Sequence, residues 1–219
     1  MIVSYEEPGS RGWIESRLGH LTASQLSKVI TPGGKLSASR ETVMGQLMAE
    51  IFEGEPYVEF AGNDWTDRGH MLEPRARAYY RLRRGVTVET VGHLLTDDGA
   101  LGASPDGLVG EDGGLELKCP SLPVHIAHVS MEVLPRQYIP QVQGALFVSQ
   151  RQWWDFMSFS DRFDLQLLVR VEPDPAYQDA LAEHLPAFNA ELHERVASLI
   201  EQGATPVLEE WIPEKGDKR

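Results

Sequence analysis

The stretch that most constrains this chain is Gly102–Pro120, GASPDGLVGEDGGLELKCP. Two short apolar runs flank an acidic, glycine-rich turn, the pattern of a β-hairpin, with EDGG as its connection. Its charges need a reason: Asp106 sits on one arm, Glu116 and Lys118 on the other. Residues two apart project from the same face of a strand, roughly 6–7 Å apart along it. Glu116 and Lys118 therefore share a face, Leu115 and Leu117 turn toward the core, and the other arm returns Asp106 alongside. Two carboxylates at close range raise at least one pKa unless a cation relieves the repulsion. Hard oxygen ligands of this kind suit Mg²⁺, or Mn²⁺ in its place. A solvated hairpin with a cross-strand salt bridge accounts for the charges, but not for the apolar residues on both sides of them.

A carboxylate pair with a neighbouring ammonium suits phosphodiester hydrolysis. A metal held by Asp106, Glu116 and the backbone carbonyl of Leu117 would polarise the phosphate and lower the pKa of a bound water. Lys118 would orient or deprotonate that water and offset charge building on the phosphate. The bare spacing D…ExK is common by chance, so the pattern alone assigns nothing.

The rest of the chain bounds the setting. Its 219 residues suffice for one domain with a real core, and 42% hydrophobic with 24% charged residues is an ordinary globular composition. No apolar run approaches the roughly 20 residues of a membrane span, and MIVSYEEPGSRGW lacks the apolar segment of a signal peptide. One cysteine, Cys119, allows no internal disulfide and no iron–sulfur cluster; a reducing cytoplasm is the expected compartment. A net charge of −13 argues against a protein that coats DNA generically, though not against a local basic groove. Arg75, Arg77, Arg81, Arg83 and Arg84 cluster in one segment and read most simply as a solvated helix face.

Apolar periodicity predicts helices over TASQLSKVI, with Thr22 as N-cap, and over SRETVMGQLMAEIFE, ended by Gly54. A third runs from about Asn63 to Arg84, bent at Pro74. VTVETVGHLLTD, LGASPDGLVG and GLELKCP read as an antiparallel meander of three strands. Helices over LPVHIAHVSMEVL and RQYIPQVQGALFVS follow, then strands at WWDFMSFS and LQLLVRVEP. A long helix from about Pro175 to Gly203 closes the order. The expected architecture is α/β (α+β), a mixed central sheet flanked by helices. It divides into a helical part at 10–85, sheet and helices at 86–172, and a C-terminal helix at 174–203, all in one domain of 1–219.

SPDGLV…GLELKCP resembles the PD-(D/E)XK nuclease superfamily, and in particular its phage lambda exonuclease, or viral recombinase, branch. The likeness extends to WIESRLGHLTAS, to RGHMLEPRARAYY with its G-x-x-x-E helix, to YIPQVQGALFV with its Y-x-x-Q-x-Q helix, and to WDFMSFS, in the family's order. It implies a Mg²⁺-dependent exonuclease that degrades one strand of duplex DNA from its 5′ end. Such an enzyme releases 5′-mononucleotides and leaves a 3′ single-stranded tail for recombination by strand annealing. Asp106 and Glu116 then become metal ligands and Lys118 the catalytic lysine. Glu73 adds a carboxylate, Gln141 hydrogen-bonds in the active centre, and Arg17, Ser24 and Ser104 bind the 5′-phosphate of the DNA end. The resemblance further implies a bacterial cytoplasm, a phage or prophage origin, an annealing protein as partner, and a ring-shaped homotrimer threaded by DNA. In a ring only the channel needs to be basic.

The family also places an acidic residue before SPDG, where Asp97 and Asp98 both stand; an Asp-Gly turn is the competing reading. Two alternatives to the exonuclease remain: a related PD-(D/E)XK endonuclease, and a catalytically weak protein that binds DNA ends. The latter predicts loss of a core residue, whereas Asp106, Glu116 and Lys118 are all present. His125 and His128 lack a third ligand and read as incidental. Trp153 and Trp154 read as strand core.

Overall fold

The computed structural model describes residues 1–57 and 64–211. In chain order the strands and main helices are β1 (Ile2–Ser4), α1 (Arg11–Glu15), α2 (Arg40–Glu53), α3 (Asp64–Arg84), β2 (His93–Leu95), β3 (Gly102–Ala103), β4 (Gly107–Val109), β5 (Gly113–Lys118), α4 (Leu122–Met131), α5 (Ile139–Ser149), β6 (Trp153–Ser158), β7 (Leu167–Val171) and α6 (Pro175–Glu201). The strands form one sheet of order β1-β2-β3 and a second of order β4-β5-β6-β7. In the second, β5 runs antiparallel to β4 and parallel to β6, which makes the sheet mixed. The α4–α5 crossover supplies the long connection that a parallel pair requires.

Both faces of β5 are covered, so five of its six residues are buried. On one face Leu115 and Leu117 pack with Met157 and Phe159 against Ala76 and Tyr80. Ala76 and Tyr80 are one helical turn apart on α3 and form a ridge with Leu72. On the other face Trp154 and Phe156 join Val142, Ala145 and Leu146 of α5 and the stripe Tyr177, Leu181, Leu185, Phe188, Leu192 and Val196 of α6. That stripe keeps the three- and four-residue spacing of an amphipathic helix. Helix α2 buries Val43, Met44, Leu47 and Ile51 in the same way. It ends at Gly54, whose φ of 69° is a left-handed cap.

Three details depart from the sequence reading. TASQLSKVI is not a helix; only a 3₁₀ turn, Leu26–Lys28, forms there, and Ala23 N–H donates to the Gly102 carbonyl instead. That bond ties the segment to β3, a tertiary partner that local periodicity cannot reveal. The meander is divided, because β3 joins the first sheet and β4 the second. Asn63, the expected start of α3, lies outside the described residues. Strand β1, read as no element, pairs with β2 through Ile2 and Leu95.

The two glycines of EDGG also belong to β5 rather than to the turn. Gly113 and Gly114 stand beside Trp153 and Trp154 in the parallel register. A Cβ at Gly113 would lie 2.1 Å from the Trp153 ring, and one at Gly114 would lie 2.2 Å from the Trp154 ring. The glycines thus leave room for two indoles over the start of the central strand. Gly114→Ala is expected to destabilise the fold by about 1–3 kcal/mol, the usual cost of overpacking a core. A lowered urea midpoint at unchanged slope checks this; an unchanged midpoint would show that the ring can move aside.

Candidate active site

Asp106 precedes β4 immediately, and two bonds fix it to β5. Its backbone N–H donates to the Leu115 carbonyl at 3.1 Å, and its Oδ2 accepts from the Leu117 N–H at 2.5 Å. The N–H and C=O of a strand residue leave on the same edge, so the Leu117 carbonyl faces the edge on which Asp106 sits, beyond the end of β4. Glu116 is buried on the opposite side of the pleat from Leu115 and Leu117, and its Oε1 is shared by two donors. Lys118 Nζ lies 2.7 Å from it and Gln141 Nε2 at 2.6 Å. Glu73, from α3, lines the same cleft.

Electrostatics follow from this crowding. Burial, then the Glu116 charge, pushes the Asp106 carboxyl well above the ordinary aspartate range, despite the Leu117 N–H and Lys118; Glu73 adds to the push. For Lys118 burial opposes the charge, but the charge and hydrogen bond of Glu116, together with Asp106, outweigh it and hold the pKa above the usual lysine value. Lys118 is therefore an ammonium, able to donate and to neutralise. Its Nζ also lies 5.5 Å from the centre of the Tyr138 ring, which restricts the stem. The donor set facing the cleft is all oxygen: Asp106, Glu116 and the Leu117 carbonyl. Among the described residues no three His, Cys, Asp or Glu side chains gather as a metal cage. An oxygen set with few protein ligands fits a hard ion that keeps several waters, as Mg²⁺ does.

The same cleft, about 190 Å³, is lined by Arg17, Ser24 and Ser104 as well as by Asp106, Glu116, Lys118 and Gln141. Arg17 follows α1, and its guanidinium lies 4.0 Å over the Trp13 ring, which is itself anchored through Nε1–H to the Gly92 carbonyl at 2.9 Å. Burial lowers the Arg17 pKa and the Glu50 carboxylate works against that shift. Arg17 Nε is buried with no protein partner among the described residues. The structure thus brings every residue singled out for catalysis or phosphate binding to one concavity.

The chain matches the YqaJ-like viral recombinase domain over residues 12–152. It belongs to that family. The crystal structure of an alkaline exonuclease (LHK-Exo) from Laribacter hongkongensis superposes with a TM-score of 0.81 at 34% identity, covering 89% of this chain and 98% of that one. The same enzyme in complex with dAMP matches equally well. A phage related exonuclease from Haemophilus somnus 129PT, at 16% identity and a TM-score of 0.63, covers 82% of this chain and 96% of that one and shares the fold. No curated protein sequence matches. The lambda-exonuclease resemblance and the PD-(D/E)XK fold both hold, and the protein is a DNA exonuclease.

Other residues of this exonuclease settle differently. Asp98 Oδ1 accepts from the Ala100 N–H and Asp97 pairs with the N-terminal ammonium, both exposed and outside the cleft, so the turn reading holds. The arginine cluster is not simply solvated. Arg75 pairs with Asp161, Arg84 with buried Asp155, and Arg77 Nε donates to the Asp106 carbonyl at 2.9 Å. Arg77, which the sequence shows only as one of a cluster, braces the Asp106 turn; it stands four residues after Glu73 on α3, a spacing that puts both on one face. Nothing in the sequence pattern singles out Glu50. It accepts from the Gly19 and Tyr57 N–H groups, and burial raises its pKa. His125 and His128 both bond the buried Ser158 hydroxyl, at 2.9 and 3.1 Å, and lie in the core.

His93 gives a pH expectation. Burial, with the charges of Arg17 and His20, lowers its pKa to about 3, against about 6.5 in an unfolded chain. Between those values the unfolded chain holds a proton that the folded one does not. The contribution is complete above about pH 6.5 and is lost as the pH falls toward 3. From pH 7 to 5, His93→Asn should lose about 1–2 kcal/mol less stability than the parent in parallel urea titrations. Equal losses would show that His93 takes up its proton without unfolding.

Proposed function

We propose that the chain is a Mg²⁺-dependent 5′-to-3′ exonuclease acting on linear double-stranded DNA. It releases 5′-mononucleotides and leaves a 3′ single-stranded tail for recombination by strand annealing. The observation that carries this reading is the single cleft in which Arg17, Ser24 and Ser104 adjoin Asp106, Glu116 and Lys118. An anion pocket in the same cleft as a hydrolytic centre fits a strand that is held by its terminal phosphate and cut at the next one.

Asp106, Glu116 and the Leu117 carbonyl would hold the ion, which when bound supplies Lewis acidity and an acidified water. The residues do the rest. Arg17 and the two hydroxyls receive the terminal phosphate and fix the register of the strand. Lys118 donates to the attacked phosphate or to the attacking water, and its charge offsets what builds on the phosphate oxygens. Gln141 holds the Glu116 carboxylate through Nε2, and Glu73 contributes negative potential at Asp106. The quaternary expectation that accompanies this reading is a homotrimeric ring around the duplex, with a single-strand annealing protein as partner.

Three results test it. With Mg²⁺, a linear duplex should be degraded and a covalently closed circle spared, and EDTA should stop the reaction; a circle cut as fast as the linear form points to an endonuclease. Lys118→Ala should lower kcat by at least ~10²-fold while metal-dependent binding of duplex ends persists, and near-normal turnover would remove Lys118 from the chemistry. Arg17→Ala should cut the preference for 5′-phosphoryl over 5′-hydroxyl ends by about tenfold or more. An undiminished preference would sink the phosphate pocket.

A further inference from the structure

His93 is a buried, titratable side chain that the reaction as drawn does not use. It lies in β2, 2% exposed, behind the wall of the cleft that Ser104 forms. Its Nδ1 is 3.1 Å from the Ser104 Oγ. Its Nε2 is buried and has no partner among the described residues. A Cβ at Gly102 would come within 2.4 Å of both Cε1 and Nε2. Gly102 therefore makes room for an imidazole at this place, and the imidazole reaches one polar atom of the cleft.

The unpartnered nitrogen fixes the direction of that bond. A neutral imidazole carries one N–H and one lone pair. Were the proton on Nε2, a donor would be buried with nothing to receive it, the rarer and costlier orphan. With the proton on Nδ1, only a lone pair is left unpartnered. In that tautomer His93 donates to Ser104 Oγ, and the serine hydroxyl hydrogen is left for a second acceptor. Ser104 lines the cleft beside Arg17, so the direction left to that hydrogen is toward the cleft.

We infer that His93 is a positioning residue that turns the Ser104 hydroxyl into a donor for the 5′-phosphate of the DNA end. This rests on the phosphate pocket proposed above. The imidazole touches no substrate; it holds the serine as an acceptor from behind, so that the serine donates in front. Burial keeps the ring neutral at neutral pH, so the bond to Ser104 keeps the direction that the unpartnered Nε2 gives it.

The test measures kcat/KM on matched duplexes with 5′-phosphoryl and 5′-hydroxyl ends and takes their ratio. His93→Leu should lower the ratio about tenfold, the loss of one hydrogen bond to a charged group, and mainly through KM. His93→Asn places an amide N–H near the position of Nδ1 and should restore most of it, whereas His93→Gln, whose N–H sits farther out, should not. Because Leu and Asn both vacate the ring volume, a difference between them is not a packing effect. Adding His93→Leu to Ser104→Ala should not change the ratio further. If Ser104→Ala keeps the wild-type ratio, the pocket itself is wrong. If Ser104→Ala lowers the ratio but His93→Leu does not, or if Asn and Leu behave alike, the positioning role alone is overturned.

Discussion

The bond from the Leu117 N–H to Asp106 Oδ2 is the interaction on which the site depends. It joins the turn before β4 to the strand carrying Glu116 and Lys118, at the point where the β4–β5 ladder ends. Were β4 one pair longer, a backbone carbonyl would take that N–H, and the Asp106 carboxylate would have no place on the strand edge. Ending the ladder early releases both the N–H and the C=O of Leu117, one to hold a carboxylate and the other to face the cleft. Arg77 braces the same turn from α3 by taking the Asp106 carbonyl. The local geometry is thus fixed from the strand on one side and from a helix on the other.

A carboxylate as buried as Glu116 needs compensation, because desolvation of an unpaired charge costs several kcal/mol. Lys118 and Gln141 both direct their donors at one oxygen of Glu116. The two donors offset the buried charge of Glu116, and an ion held by Asp106 and Glu116 would relieve the repulsion between the two carboxylates. The fold keeps this set rigid by packing α3 under Leu115 and Leu117 and α5 over Glu116. A strand buried on both faces holds its side chains in fixed rotamers, which hydrolysis at a defined phosphate requires.

How much of this is legible in the sequence depends on whether the cause is local. Alternation along GLELK separates the core leucines from the two charges, and the structure keeps that division. The helices α2 and α6 follow from their apolar spacing and, for α2, from Gly54. What was not legible depends on distant partners. The segment TASQLSKVI has helical spacing, yet its backbone is committed to β3, and no property of those nine residues announces it. Gly113 and Gly114 look like turn residues because their reason for being glycine lies in Trp153 and Trp154, some forty positions on. Arg77 and Glu50 act on backbone groups of other segments, so composition could only report them as charges. The hairpin itself singles out Asp106, Glu116 and Lys118 as a candidate metal site, whereas Glu73, Gln141, Arg17, Ser24 and Ser104 are named only by the matched segments, since D…ExK spacing alone is too common to choose among readings.

The acidic total of the chain poses a last question, since the substrate is a polyanion. At physiological ionic strength charges beyond about 8 Å are largely screened, so the sum of −13 matters less than the groups that line the cleft. There Arg17 and Lys118 face the carboxylates of Glu73, Asp106 and Glu116. Arg17 and Lys118 are cations inside a partly desolvated concavity, where an interaction is several times stronger than at the surface. The Glu50 charge acts on Arg17 and, in the phosphate pocket proposed above, would limit how tightly a phosphate is gripped. Under that proposal the restraint would have a use, because an enzyme that advances along a strand must release each new terminus from the pocket as well as seize it. Strong cationic binding over a wide surface would favour seizure alone, and an acidic exterior keeps the attraction confined to the cleft.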